Sequence, residues 1–210
     1  VATTRPVDAQ DLDFRTLRDV SSLEDLGGAA TSALALGRAT FGHAESEAET
    51  RQHLLGDRVI LALDGDRVVA VSVLSLTTVV ALRPGLSARH AAAGDEVVAH
   101  LQGTVIDPGV RGRGLYRELN RRRFATVLDQ RIRFVTTMTQ NPRVERGIRS
   151  LLVEFTSLGH LAGWTLDAEA RPGAYGQLLV AGQSEVEGTP LAGLDAAAGD
   201  AVSLVFSLSH

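Results

Sequence analysis

The sequence predicts an α/β (α+β) fold, a mixed central sheet of about seven strands flanked by helices on both faces. Three observations carry this reading. A hairpin signature surrounds Asp64-Gly65, a strand stops at Pro108 before a glycine-punctuated helix start, and an amphipathic helix follows Asn141-Pro142. The strand–helix–strand succession over residues 97–139 calls for a right-handed parallel crossover. Residues 58–106 read instead as a meander, so parallel and antiparallel pairing share one sheet.

The elements follow in order. Residues 1–12 read as a tail and 13–210 as a single domain. Phe14 to Val20 alternates imperfectly and is a first strand. Ser21-Ser-Leu-Glu24 has the spacing of a capping box, and an Ala/Leu-rich helical region runs to about Arg38. Phe41 to Leu55 reads as a second helix opened by Glu45, Glu47 and Glu49. Arg58 to Leu63 and Arg67 to Leu74 flank Asp64-Gly65, where a tight turn needs positive φ. The third strand extends to about Leu82, Pro84 to Asp95 is a loop, and Val97 to Ile106 is a fourth strand.

A helix from Gly114 to about Arg131 shows an imperfect apolar stripe of Leu115, Leu119 and Val127. Phe134 to Thr139 is a fifth strand. Asn141 is placed to cap a helix with proline at its first position. In that helix Val144, Ile148, Leu151, Leu152, Phe155 and Leu158 recur at helical spacing, and Gly159 ends it. Late strands are expected at Gln177 to Ala181 and Ala201 to Leu208.

Composition narrows the function classes. The chain has 210 residues, 44% of them apolar, which suffices for a core. No apolar run approaches the roughly 20 residues that span a bilayer, and Val1 to Pro6 carries no apolar signal-peptide core. Without cysteine, disulfides, thiolate metal sites and a cysteine acyl-enzyme are excluded, and a reducing, cytoplasmic setting is expected. All 21 basic residues are arginine, and the net charge of −4 argues against a general nucleic-acid binder. Charge is nonetheless uneven. Residues 101–150 hold 11 Arg against Asp107, Glu118, Asp129 and Glu145, a local charge of +7. Such a segment fits either a polyanionic small molecule or a solvated arginine-rich helix face.

That segment centres on Val105-Ile-Asp-Pro-Gly-Val-Arg-Gly-Arg-Gly-Leu-Tyr116. Gly112 and Gly114 permit a tight turn and close backbone approach to a ligand. The helix beyond them adds its positive dipole end and unbonded N–H groups, which together hold phosphate. A Walker loop is excluded because the spaced Gly-Lys-Ser/Thr is missing, and a Rossmann fingerprint because Arg117 stands at the third glycine position.

The turn resembles the Arg/Gln-x-x-Gly-x-Gly/Ala signature of the Gcn5-related N-acetyltransferases. Arg111 and Gly114 match it, Tyr116 replaces the small last residue, and Ile106-Asp107-Pro108 is similar to the family's strand end. The order of elements resembles that fold from about Phe14 to Leu208.

The resemblance implies an acetyl-CoA-dependent N-acetyltransferase, with acetyl-CoA or another acyl-CoA as donor. Backbone N–H groups of Arg111, Gly112, Arg113, Gly114, Leu115 and Tyr116 would hold the pyrophosphate. Thr104, Val105 and Ile106 would pair with the pantetheine arm. Asn141 would meet pantetheine, cap the helix, or do both. Arg113, Arg117 or Arg121 would reach the 3′-phosphate or face solvent.

Some family members place a carboxylate eleven positions before the signature arginine, which here is His100. Histidine suits a base that deprotonates an amine, with Gln102 and Thr104 on the same face of the strand. The alternative is a half-buried strand histidine bonded to a neighbour. Many members carry a general-acid Tyr on the helix after the fifth strand, but here Phe155 stands in its place. Tyr175 is the remaining candidate, or else a turn tyrosine packed on the surface. Histidines 43, 53, 90 and 160 lack metal-ligand spacing, and no metal is expected.

The expected reaction is direct transfer to a primary amine of a small molecule. Glu45, Glu47 and Glu49 suggest either a cationic acceptor or an exposed acidic helix start. The alternatives are a larger acyl group or a hydroxyl acceptor, and a CoA-binding sensor without catalysis. A monomer or homodimer is expected, with no nucleic-acid or membrane partner.

Overall fold

The computed structural model describes residues 11–41, 46–78, 95–175 and 193–210. Among them, seven strands form one mixed sheet: β1 (Asp13–Val20), β2 (Gly56–Asp64), β3 (Arg67–Thr78), β4 (Val97–Ile106), β5 (Phe134–Thr139), β6 (Gly163–Arg171) and β7 (Ala201–Ser209). The strand order is β1-β2-β3-β4-β5-β7-β6. The α-helices are α1 (Ala30–Phe41), α2 (Glu47–Gln52), α3 (Leu115–Asp129) and α4 (Pro142–Ser157). The chain divides into two compact units: residues up to Leu74 with Gly103–Arg123, and Ser75–Gln102 with Phe124–His210.

In the first unit, β1, β2 and β3 form an antiparallel meander, paired from Asp13↔Leu63 to Val20↔Gly56 and from Arg58↔Leu74 to Asp64↔Arg67, the latter with a one-residue shift between Ala62 and Leu63. Asp64 pairs with Arg67, so the two-residue loop is Gly65-Asp66, one position later than expected. Gly65 supplies the positive φ of 61° at its first position, as a primed hairpin turn demands. The core here joins Ile60, Ala62, Val69 and Ala70 to Leu115 and Leu119 at the start of α3. Burying each such leucine contributes roughly 1.5–3 kcal/mol, which anchors the first two turns of α3.

The expected helix start at Ser21 moves by one residue. Asp25 Oδ2 accepts from Ser22 N and Ser21 N, each at 2.8 Å, and opens a 3₁₀ segment, Leu23–Ala29. Gly27, at φ 56° and ψ −135°, puts a kink inside that segment, and α1 follows from Ala30. The helix expected over Phe41–Leu55 is also corrected: Phe41 closes α1, and α2 spans only Glu47–Gln52. Its start is set by Ser46, whose Oγ accepts from Glu49 N while Glu49 Oε2 accepts from Ser46 N.

In the second unit, β4 and β5 pair in parallel from Val98↔Phe134 to His100↔Thr136. β5 pairs antiparallel with β7, and β7 with β6 along nine residue pairs. The β6 strand was missed from sequence; the strand expected at Gln177–Ala181 lies outside the described residues. In α4, Ile148, Leu151, Leu152 and Phe155 are buried, and Phe155 packs on Phe124 of α3 with ring centroids 5.9 Å apart. Leu158, expected on the apolar stripe, is 62% exposed. It is the C-cap residue, where the chain leaves the helix. Gly159 follows at φ 76°, with Gly159 N bonded to Thr156 O and His160 N to Phe155 O. These two bonds make a Schellman motif.

Candidate functional site

The first unit carries the glycine-punctuated turn. Strand β4 ends at Ile106, and the next residue, Asp107, donates its N–H to Val69 O at 2.9 Å. Asp107 Oδ1 accepts from Gly109 N at 2.7 Å and Oδ2 from Arg67 Nη1 at 2.8 Å. One side chain thus caps the 3₁₀ turn Pro108–Val110 and ties it to the start of β3. Buried Val110 and Leu115 pin the two ends of the glycine segment between them.

Within that segment, Gly112 and Gly114 adopt φ of 78° and 76°. A Cβ built on either glycine meets nothing within 4 Å. Conformation, not crowding by the chain, therefore demands glycine here, at about 1–2 kcal/mol for any other residue. Glu118 N donates to Gly114 O at 3.1 Å, the first α-helical bond. The N–H groups of Leu115 and Tyr116 precede it, in the first turn, whose donors an α-helix does not bond internally. Together with the helix dipole they form a positive, donor-rich end suited to phosphate.

Arg111 plays a different part from the residues after it. Its N–H lies 3.4 Å from Pro108 O, and its Nε donates to Ile106 O at 3.0 Å. Its side chain folds back on the strand end and braces the turn.

Tyr116, the departure from the small last residue, reaches inward. Tyr116, Asn120 and Arg123 lie on one face of α3. Asn120 Nδ2 donates to Tyr116 O at 2.8 Å, while Arg123 donates to Asn120 Oδ1 and, at 3.1 Å, to Val73 O of β3. Burial pushes the Tyr116 phenol above the usual tyrosine range, opposed in part by Arg123 and Asn120. Burial also lowers the Arg123 guanidinium to about 10. Sequence reasoning missed Asn120 and Arg123, which interrupt the apolar stripe and whose burial is offset by their bonds to each other, to Tyr116 O and to Val73 O.

Of the arginines considered for a 3′-phosphate, Arg121 lies 3.3 Å from Glu118, which also binds Arg122 at 2.9 Å. Arg122 in turn covers the Phe14 ring at 4.2 Å. On β4, Thr104 Oγ1 is 2.8 Å from Ser72 Oγ, Val105 is buried, and Ile106 packs against the core.

The acidic helix start is engaged locally. Glu47 binds Arg38 and Arg51, each at 2.7 Å, and Glu49 is held by Ser46. Arg51, and secondarily Arg38, hold the Glu47 carboxyl below its ordinary range. Glu45 lies outside the described residues. Nearby, Phe41, Leu54, Val71, Gly103 and Val105 line an apolar recess that includes exposed His53.

The second unit holds the remaining candidates. His100 is half-buried on β4, with Nδ1 2.9 Å from Thr136 Oγ1. One residue further the backbone ladder has ended, and Leu101 O accepts from Thr137 Oγ1 at 2.9 Å instead. Asn141 caps α4, its side-chain oxygen accepting from Arg143 N at 2.9 Å, while Asn141 N donates to Thr139 Oγ1. Tyr175 donates its O–H to Met138 O at 2.9 Å and its N–H to Gly199 O at 3.0 Å. Gln140 Nε2 donates to Ala196 O and Asp200 O. Each candidate thus contacts β5 at its own position: His100 at Thr136, the Tyr175 hydroxyl at Met138 O, and Asn141 at Thr139. Phe155 is buried among Phe124 and His160 and offers no proton. Among the described residues, no three His, Cys, Asp or Glu side chains gather as metal ligands, and no helix is long and apolar enough to cross a membrane.

No protein-family model and no curated relative matches the sequence. Solved structures do match. The Escherichia coli ribosomal-protein-S18-alanine N-acetyltransferase has a TM-score of 0.52 at 12% identity, covering 94% of this chain and 96% of that one. Arabidopsis thaliana NAA60 in complex with acetyl-CoA has a TM-score of 0.53 at 14% identity, covering 94% and 98%. Drosophila melanogaster polyamine N-acetyltransferase, which catalyses the formation of N-acetylagmatine, has a TM-score of 0.51 at 14% identity, covering 93% and 100%. Seven strands in one mixed sheet, the turn after β4 and these likenesses agree: the chain has the fold of the Gcn5-related N-acetyltransferases.

Proposed function

We propose that this chain is an acetyl-CoA-dependent N-acetyltransferase that acts on a primary amine of a small molecule by direct transfer. The turn from Gly112 to Tyr116 carries the reading. It sets two glycines at positive φ against a helix N-terminus, in a fold whose solved examples include an acetyl-CoA complex. Its N–H groups hold the donor's pyrophosphate, while Arg111 braces the turn. The edge of β4 from Thr104 to Ile106 and the side-chain NH2 of Asn141 meet the pantetheine amides. This assignment leaves the Asn141 oxygen to its cap.

His100 takes the proton that the acceptor amine loses as its nitrogen bonds to the thioester carbon and the C–S bond breaks. The thiolate leaves as such or takes a proton through water, and Tyr175 is the candidate donor on the chain. The lack of cysteine favours transfer in a ternary complex over an acyl-enzyme. With Glu47 paired to Arg38 and Arg51 and Glu49 engaged in the Ser46 cap, charge at the α2 start gives little support for a strongly cationic acceptor.

The test is thiol release from acetyl-CoA and longer acyl-CoAs across a panel of polyamines, arylalkylamines and amino alcohols. Release with acetyl-CoA and an amine is the expected result. Preference for a longer acyl group or a hydroxyl would redirect the assignment. A second reading is a CoA-binding module without catalysis. It is favoured by Phe155 at the usual acid position and by the Tyr175 O–H lying on Met138 O. Tight CoA binding with no thiol release from any acceptor would select it.

A further inference from the structure

We propose that Ser72 is a positioning residue for the acyl donor: it donates its hydroxyl proton to Thr104, so that the Thr104 O–H is turned to donate to a carbonyl oxygen of the pantetheine arm. The inference rests on β4 meeting that arm. Ser72 on β3 and Thr104 on β4 stand on adjacent strands with their Oγ atoms 2.8 Å apart. Both lie on the sheet face that α3 covers. Ala70 and Ile106, each two residues away, pack with Leu115 and Leu119 of α3, and side chains two apart along a strand share a face. Thr104 is therefore on the same face as the helix whose start forms the glycine turn, about 10 Å back along β4 from Asp107. An arm that runs from the turn along β4 passes it.

Either hydroxyl could supply the proton of the Ser72–Thr104 bond, and burial decides between them. Ser72 is 0% exposed, whereas Thr104 is half-buried. Among the described residues neither hydroxyl has a further partner. If Thr104 donated, the Ser72 proton would be sealed in the core with no acceptor, an arrangement that native interiors avoid. If Ser72 donates, its proton is satisfied, and the proton left over belongs to the residue that reaches the surface. Thr104 then accepts from the core and donates outward. Its β-branched side chain has few rotamers in a strand, so the outward direction is held. A hydroxyl fixed as a donor selects a carbonyl oxygen over an amide N–H, and the pantetheine arm carries amide carbonyls. The inner bond also polarises the outer one and strengthens it.

The experiment is calorimetry with acetyl-CoA and with adenosine 3′-phosphate 5′-diphosphate, which has the phosphates without the arm. Ser72→Ala and Thr104→Val should each raise the Kd for acetyl-CoA about threefold to tenfold, the loss of one hydrogen bond, and leave the Kd for the nucleotide unchanged. The double variant should bind acetyl-CoA no more weakly than Thr104→Val alone, because Ser72 acts only through Thr104. Thr104→Ser, which keeps the hydroxyl, should retain wild-type affinity. An unchanged acetyl-CoA Kd in Ser72→Ala or Thr104→Val overturns the proposal. Equal weakening of both ligands, the mark of a merely structural serine, overturns it too, as do additive losses in the double variant. In each of these outcomes wild type still binds acetyl-CoA and the donor reading stands. Wild type that binds no acetyl-CoA removes that reading and the proposal with it.

Discussion

Gly114→Ala separates a turn that merely folds from a turn that holds phosphate. Gly114 sits at φ 76° with open space where a Cβ would go. The folding penalty is therefore conformational only, about 1–2 kcal/mol. For a chain of this size that lowers Tm by roughly 2–8 °C. Gly65 in the β2–β3 hairpin is the matched control, with φ 61° and equally open space. Gly65→Ala should show a similar drop in Tm.

The two variants should differ in ligand binding. At Gly114 the open space is where a phosphate would approach the helix N-terminus. A methyl group there removes one or two charge-assisted hydrogen bonds, each worth about 1.5–3 kcal/mol. The Kd for CoA should rise by about tenfold to a hundredfold or more, while Gly65→Ala leaves it unchanged. Thermal melts give the first quantity and calorimetry with CoA the second. Equal CoA affinity in both variants would refute the phosphate role of the turn.

His100→Gln should lower turnover by about a hundredfold or more with acetyl-CoA affinity unchanged; an unaltered rate near neutral pH removes His100 as base. Asn141→Asp keeps the oxygen that caps α4 and removes the NH2 donor, so Tm should hold while acetyl-CoA affinity falls; Asn141→Ala should lose the cap as well, about 1 kcal/mol. In Tyr175→Phe the remaining tyrosine is Tyr116, and its ultraviolet titration midpoint should lie above 10.0, the ordinary value. The unfolded phenol ionises first, so the stability Tyr116 contributes is complete below pH 10 and is lost as pH rises through its folded value; a midpoint at or below 10.0 would contradict the burial.

Legibility in the sequence followed punctuation. β4, β5 and α4 lie between proline, glycine and asparagine signals that act locally, and their predicted bounds match the structure closely. β6 was not legible. Gly-Trp-Thr-Leu-Asp-Ala-Glu-Ala-Arg carries alanine and glutamate, which disfavour strands, and its form comes from pairing with β7 along nine residue pairs. The helix expected from Phe41 failed for a related reason, because the cap that opens α2 is a side-chain exchange between Ser46 and Glu49 further along. At the candidate site, the backbone turn was readable because φ demands glycine. The partners of side chains were not: Thr136 beneath His100, Arg111 on Ile106 O, and the Tyr116–Asn120–Arg123 seam all join residues by the fold rather than by spacing.

The central claim is that the backbone from Gly112 to Tyr116 holds the pyrophosphate of an acyl donor, and a structure determined with bound CoA tests it most directly. The expected result is pyrophosphate oxygens about 2.7–3.2 Å from these backbone nitrogens. CoA bound with its pyrophosphate elsewhere, or no CoA bound at saturating concentration, would contradict it.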